Sequence, residues 1–243
     1  QDNVYVGGAW NGGGYMVHDA FLRKYDSAWN VEYTDIFGAA NANVKITVMC
    51  VDAEDSVIVG GTTLGSLFAQ YNGSSNQLSD TTDIFVRKYF SNGTVHWSSQ
   101  FGAPEGDDVF AIASDAGGNV YVGGRTLGNV VSTVHGYCDA LLRKYDKVGQ
   151  VVYTYQLDAG GVEVITSIAV DGSGNVVVTG GSVGSGSSYD YATVAYSGAG
   201  VPLWTNRYNG PADSEDRATA VAVDGAGNVF VSGYSYGSGS SWD

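Results

Sequence analysis

The chain has 243 residues, with 36 Gly, 17 Tyr, only 15% charged and 44% hydrophobic residues. That is enough to bury a sizeable core, and too apolar for a disordered polypeptide. A formal net charge of −14 argues against a nucleic-acid partner, which needs clustered Lys and Arg, and against an anionic membrane surface. No run approaches the length of a transmembrane helix, so no membrane insertion is expected.

In chain order, residues 3–8, NVYVGG, read as a short strand ending in Gly. DAFLRKYD follows from Asp19 and VEYTDIFG from Val31. A fuller unit then begins. ITVMCVD from Ile46 alternates small or apolar residues up to an Asp, the period-2 pattern of a half-buried strand. SVIVGG from Ser56, DIFVRKYF from Asp83 and VHWSSQFG from Val95 complete it, and residues 64–71 between them predict one helical turn. The same four strands return at Val109, Asn119, Asp139 and Val151, and again at Ile165, Asn175, Asp190 and Pro202. ATAVAVD from Ala218 and NVFVSG from Asn228 start a further copy, and Asp243 stands where its third strand would begin.

These strand types are termed A (AIAVD), B (NVYVGG), C (DAFLRKYD) and D (with Trp or Tyr third in VHWSSQFG). The A–B turn, DGSGN at residues 171–175, has an Asp to bond its own backbone and Gly where positive φ is needed. The C–D turns repeat that logic in SNGT and SGAG. Four antiparallel strands about every 50–60 residues, with no helical segment between them, predict an all-β fold, a β-propeller of four-stranded blades. About 4.5 blades are expected in a single domain over residues 1–243: a partial blade at 1–38, then 45–102, 108–158, 162–210, and a partial blade at 217–243. Two readings of the ends follow. The favoured one is a fragment of a longer propeller. The other is a four-bladed ring in which strand A at residues 217–223 completes the first blade, leaving residues 228–233 as a surplus edge that promotes self-association.

The DxxGNVYVxG hairpin, DAFxxKYD and the aromatic strand together resemble the bacterial and archaeal β-propeller repeat called SBBP, over essentially the whole chain. Residues 52–56 lack the Gly-Asn, and the C strand from Asp190 lacks Arg-Lys. The resemblance implies an extracellular or cell-surface propeller. It supplies no family-wide catalytic residues, so none are assigned. A signal peptide is presumed removed, and Gln1 suits that. The turn Gly and aromatic of KVGQVVY and SGAGVPLW are also similar to the quinoprotein-type propeller repeat, but no ring of cofactor-binding residues is identifiable.

Gly180–Gly184 and Gly233–Gly237 both fit GxSxG. A nucleophile elbow needs a helix after the Ser, whereas Ser182 and Ser235 occupy equivalent repeat positions before Gly-Ser loops. His18, His96 and His135 have no metal-ligand spacing. Asp52, Asp115, Asp171 and Asp224 close the A strands and read as Asx-turns. Asp19, Asp83, Asp139, Asp190 and Asp243 open C strands and are expected to pair with the Arg-Lys of those strands, residues 23/24, 87/88 and 143/144, over half of the 11 cations. Calcium is the one ion that such acids would take, but DGSGN offers one carboxylate and one amide. No cofactor, metal site or catalytic residue is therefore expected. Cys50 and Cys138 read as free thiols or as a bridge between neighbouring repeats.

The B–C loops vary most from copy to copy and fall on one face of a propeller. They carry the candidate binding aromatics Trp10, Tyr15, Phe68, Tyr71, Tyr137, Tyr189, Tyr236 and Trp242 among Gly, Ser and Asn. Asn72 and Asn92 head N-glycosylation sequons. The expected function is a non-enzymatic binding or structural module in adhesion or in surface or filament assembly. Its partner is a protein or glycan, with homo-oligomers through edge strands. Alternatives are a lectin-like propeller and a propeller hydrolase or lyase.

Overall fold

The computed structural model describes residues 3–11, 18–39, 42–68, 81–134, 137–157, 163–183 and 188–237. Among them there is no helix, and every regular element is a strand. The first sheet holds β1 (Val4–Trp10), β2 (Asp19–Tyr25) and β3 (Val31–Phe37). The second holds β4 (Lys45–Val51), β5 (Val57–Thr63), β6 (Asp83–Tyr89) and β7 (Val95–Phe101). The third holds β8 (Asp107–Ser114), β9 (Val120–Thr126), β10 (Asp139–Tyr145) and β11 (Val151–Leu157). The fourth holds β12 (Val164–Val170), β13 (Val176–Val183), β14 (Tyr189–Tyr196) and β15 (Pro202–Tyr208). β16 (Asp216–Val223) and β17 (Val229–Ser235) pair with each other. All neighbours are antiparallel, the all-β architecture that the strand grammar predicts for a propeller.

The second and third sheets bury both faces, because alternate residues of one strand feed different cores. Val57 and Val59 face Leu22 and Phe37 of the first sheet, while Ile58 between them joins Val122 and Leu141 of the third. A further core joins Leu142 to Val178 and Val194. Type-A strands of successive sheets lie together: β4 on β8, β8 on β12, β12 on β16. They are tied directly, by Thr47 Oγ1 donating to Val109 O (3.3 Å) and Thr166 Oγ1 to Ala218 O (2.8 Å).

The Gly of the GG motif has a steric cause. In each A–B pair strand A bulges, between Ile46 and Val48, Val109 and Ala111, Ile165 and Ser167, and Ala218 and Ala220. The bulge presses a strand-A carbonyl onto the Gly opposite. A Cβ at Gly61, Gly124, Gly180 or Gly233 would overlap the carbonyl oxygen of Lys45, Asp108, Val164 or Arg217.

Two expectations are corrected. Residues 64–68 make no helical turn, because their backbone is bonded elsewhere: Leu64 N donates to Ala42 O and Leu67 N to Gln100 Oε1. Residues 69–71 lie outside the described residues. β16 does not complete the first sheet as the four-bladed ring requires. It pairs with β17 and lies against β12, β13 and β14.

Candidate functional site

Antiparallel order puts the B–C loops and the D–A connections at one end of the sheets, here the loop end, and the tight A–B and C–D turns at the other. At the loop end of the second and third sheets the last residue of strand B carries a hydroxyl. Thr63 Oγ1 donates to Ala42 O and Gly65 O, and Thr126 Oγ1 to Gly128 O, so each loop leaves its strand in a fixed direction. The sixth residue of strand D holds the same loop from the other side. Gln100 Nε2 donates to Gly65 O (3.0 Å) and Asp83 Oδ2 (2.9 Å). Gln156 Nε2 does so to Gly128 O and Asp139 Oδ2, while its Oε1 accepts from Val130 N. Arg207 bonds Ser182 Oγ, Ser182 O and Asp190 Oδ2.

Gln100, Gln156 and Arg207 are absent from the sequence reading. The available signal is a long polar residue just before the last residue of strand D in three of four copies, with Ile36 in the first. They also correct the expected partners of the strand-C acids. Arg-Lys lies four and five residues further along the strand, roughly 14 Å away at the rise of an extended chain, so the Asp reaches across to strand D instead. Arg-Lys joins neighbouring sheets. The Arg87 guanidinium lies 4.1 Å from the ring of Phe37, and that of Arg143 3.7 Å from Phe101. Lys24 Nζ reaches Ser91 O, and Lys88 Nζ reaches Gly118 O.

The acids that close the A strands are Asx-turns. Asp171 Oδ1 accepts from Ser173 N and Asn175 N, and its Oδ2 from Asn175 Nδ2. Burial is the largest single influence on the Asp171 carboxyl and raises it, but these bonds together outweigh it and hold the group below its ordinary range. Asp55 takes the turn position that Gly fills elsewhere, at φ 58°, and receives Asn3 Nδ2 and Lys24 Nζ from the first sheet. Among the described residues no three His, Cys, Asp or Glu converge as metal ligands.

One acid differs. Asp107 is fully buried at the start of β8, and its Oδ2 accepts from Ala103 N (2.7 Å). Asp83 Oδ1 shares its site, since both carboxylates crowd the Cα of Gly102. Burial, with Asp83 and Asp108 nearby, pushes the Asp107 carboxyl up to about 7 despite its bonds to Thr126 and Ala103. The cysteines are free, and burial pushes the Cys50 thiol up to about 12, away from a reactive thiolate.

The loop aromatics do not gather into one cluster. Trp10 and Tyr137 stand out into solvent, 46% and 77% exposed, on the first and third sheets. Phe68 packs on the Arg87 guanidinium (4.9 Å) of its own sheet and against the core shared with the first sheet, and Tyr189 on the Arg217 guanidinium (4.0 Å) of the next sheet, so both are taken up in packing. Tyr236 is half-buried just after β17. Tyr15, Tyr71, Asn72, His135, Trp242 and Asp243 lie outside the described residues. Asn92 is exposed at the turn end, where its Oδ1 accepts from Thr94 N and Oγ1. His18 bonds Asn43 (3.0 Å), and His96 stacks on Phe90 (4.2 Å).

Residues 96–130 match the family model described as SBBP, Beta-propeller repeat. The chain carries an SBBP-type β-propeller repeat. A regulatory protein of Caulobacter vibrioides, FlaEY, is 32% identical over 169 residues, covering 65% of this chain. The chain spans 18% of that protein's length. Among solved structures it is similar to a luciferin-regenerating enzyme (TM-score 0.43, 10% identity, 94% of this chain and 69% of the other). It is also similar to a glucose dehydrogenase (TM-score 0.45, 10% identity, 95% and 75%). No helix among the described residues is long and apolar enough to cross a membrane.

Proposed function

We propose that this SBBP-type chain is a non-enzymatic binding module, extracellular or at the cell surface, that engages a protein or glycan through its loop end. One observation carries the reading. The acids and hydroxyls recurring in each repeat are spent on holding loops, turns and sheet contacts, whereas the exposed rings Trp10 and Tyr137 have no counterpart in the other copies. Tyr137 follows a loop held at its start by Thr126 and Gln156, and Trp10 ends a regular strand, so little backbone freedom is lost when these rings bind. The Gln100, Gln156 and Arg207 anchors support that stiffness. A regulatory protein is the kind of relative in which a module of this sort would act by binding.

The test is binding of the intact chain to an array of surface glycans and purified surface proteins, beside Trp10→Ala/Tyr137→Ala. The reading expects the double variant to lose the hits at unchanged melting temperature. Hits that the variant keeps would contradict it.

A further inference from the structure

The three packed interfaces between sheets follow one template, and a fourth copy of its receiving half stands uncovered. In the template, strand D of one sheet presents its third, fifth and seventh residues to strands C and D of the next. The third is an aromatic under a C–D turn glycine: Tyr33 under Gly93, Trp97 under Gly149, Tyr153 under Gly200. The fifth takes a hydroxyl from strand C in two interfaces. Asp35 accepts from Tyr89 (2.7 Å), and Ser99 bonds Tyr145 (3.0 Å). In the same two the seventh, Phe37 or Phe101, lies under an Arg.

On β15 these positions are Trp204, Asn206 and Tyr208. Trp204 and Tyr208 are 42% and 48% exposed, where Trp97 and Phe101 are 9% and 6%. With Tyr191, Val229 and Val231 they line a groove of about 910 Å³ between the fourth sheet and β17. In the second and third sheets, strand B pairs with strand C, the first residue of B opposite the Tyr and the third opposite the Arg: Val57 with Tyr89 and Val59 with Arg87, Val120 with Tyr145 and Val122 with Arg143. On β17 those positions are Val229 and Val231, and no strand covers that edge among the described residues.

We infer that this groove and the β17 edge are the seat of one partner, a strand-C/turn/strand-D hairpin of the same repeat type. Its C strand adds to β17 by backbone hydrogen bonds. Its Arg lies on the Tyr208 ring, its Tyr hydroxyl reaches Asn206, and its turn glycine covers Trp204. The occupant is fixed by continuity with three interfaces already built and by the cation that an aromatic face attracts in a strongly acidic protein. The inference concerns a sheet face and stands apart from recognition at the loop end.

The probe is a synthetic peptide with the sequence of residues 83–101, used linear and also closed by a disulfide between added terminal cysteines, which holds it as a hairpin. With the intact chain, calorimetry should show saturable binding, and hydrogen exchange should slow along Val229–Ser235. A peptide carrying Arg87→Ala and Tyr89→Ala should bind at least about tenfold more weakly, as should the chain carrying Trp204→Ala at unchanged melting temperature. Either of two results overturns the inference: no binding by the closed peptide at about 1 mM, or equal binding by the altered peptide. Protection elsewhere, or self-association that the peptide does not inhibit, overturns it too.

Discussion

Gly149 lies flat on the indole of Trp97, its Cα turned toward the ring so that a Cβ would stand 2.7 Å from Cγ. Its φ of 87° is in the left-handed region. Gly149→Ala therefore adds a clash to an unfavourable backbone and should cost about 1–3 kcal/mol. Gly172, in an A–B turn with open space around it, is the control; Gly172→Ala should change stability by less than about 0.5 kcal/mol. Urea midpoints of the two variants make the comparison.

Lys88 and Asp52 form a buried ion pair, 2.7 Å apart, with side chains only 3% and 1% exposed. Removing one partner strands a charge, so Lys88→Met should destabilise by about 3–5 kcal/mol. Asp52 Oδ1 separately accepts from Glu54 N and Ser56 N, bonds that an Asn keeps. Lys88→Met/Asp52→Asn should thus be more stable than Lys88→Met alone. A double variant no better than the single one would show that packing of the Lys stem, not the charge, sets the cost.

The raised carboxyl of Asp107 gives stability a pH dependence of definite sign. Burial favours the protonated acid in the folded state, where the pKa is about 7, against about 3.9 in an unfolded chain. The folded state therefore holds the extra proton between those values. Its stabilising contribution is full below about pH 4 and is lost as the pH rises toward 7. Asp26, Asp171 and Asp224 act oppositely, since turn hydrogen bonds hold them below their ordinary range and their contribution is lost in acid. Urea midpoints at pH 5 and pH 8 should fall with pH in the wild type and fall less in Asp107→Asn.

Arg143 stacks on Phe101 (3.7 Å) while its Nε bonds Thr154 (2.7 Å). A Lys there keeps the charge but loses the planar stack and the directed bond. Arg143→Lys should destabilise by about 1 kcal/mol, and Phe101→Leu should remove most of that difference in a double-mutant cycle.

The fold was legible because each strand type recurs with its own signature. The Asp and Gly of DGSGN foretell a turn, and alternation in IAVD foretells a half-buried strand. The role of GG was legible only as a motif, since its cause is a carbonyl pressed in by a bulge on another strand. The strand-C acids were misassigned because residues near in sequence, such as Asp83 and Arg87, are far apart along an extended strand, whereas Gln100 is distant in sequence and adjacent in space. The loop aromatics were visible as residues, but exposure separates Trp10 and Tyr137 from Phe68 and Tyr189, whose Arg partners belong to other strands. Contacts between sheets leave no local trace in a single chain, so Trp97 and Trp204 look alike in sequence.

That likeness supplies the most direct test of the account, which holds that one repeat position is core where the next sheet covers it and an open receptor where none does. Trp97→Ala and Trp204→Ala are compared by urea unfolding. Trp97 sits under Gly149, donates to Lys147 O and packs on Tyr145, so its loss should cost about 3–5 kcal/mol. Trp204, nearly half exposed, should cost no more than about 1 kcal/mol. Equal losses at the two positions would contradict the account.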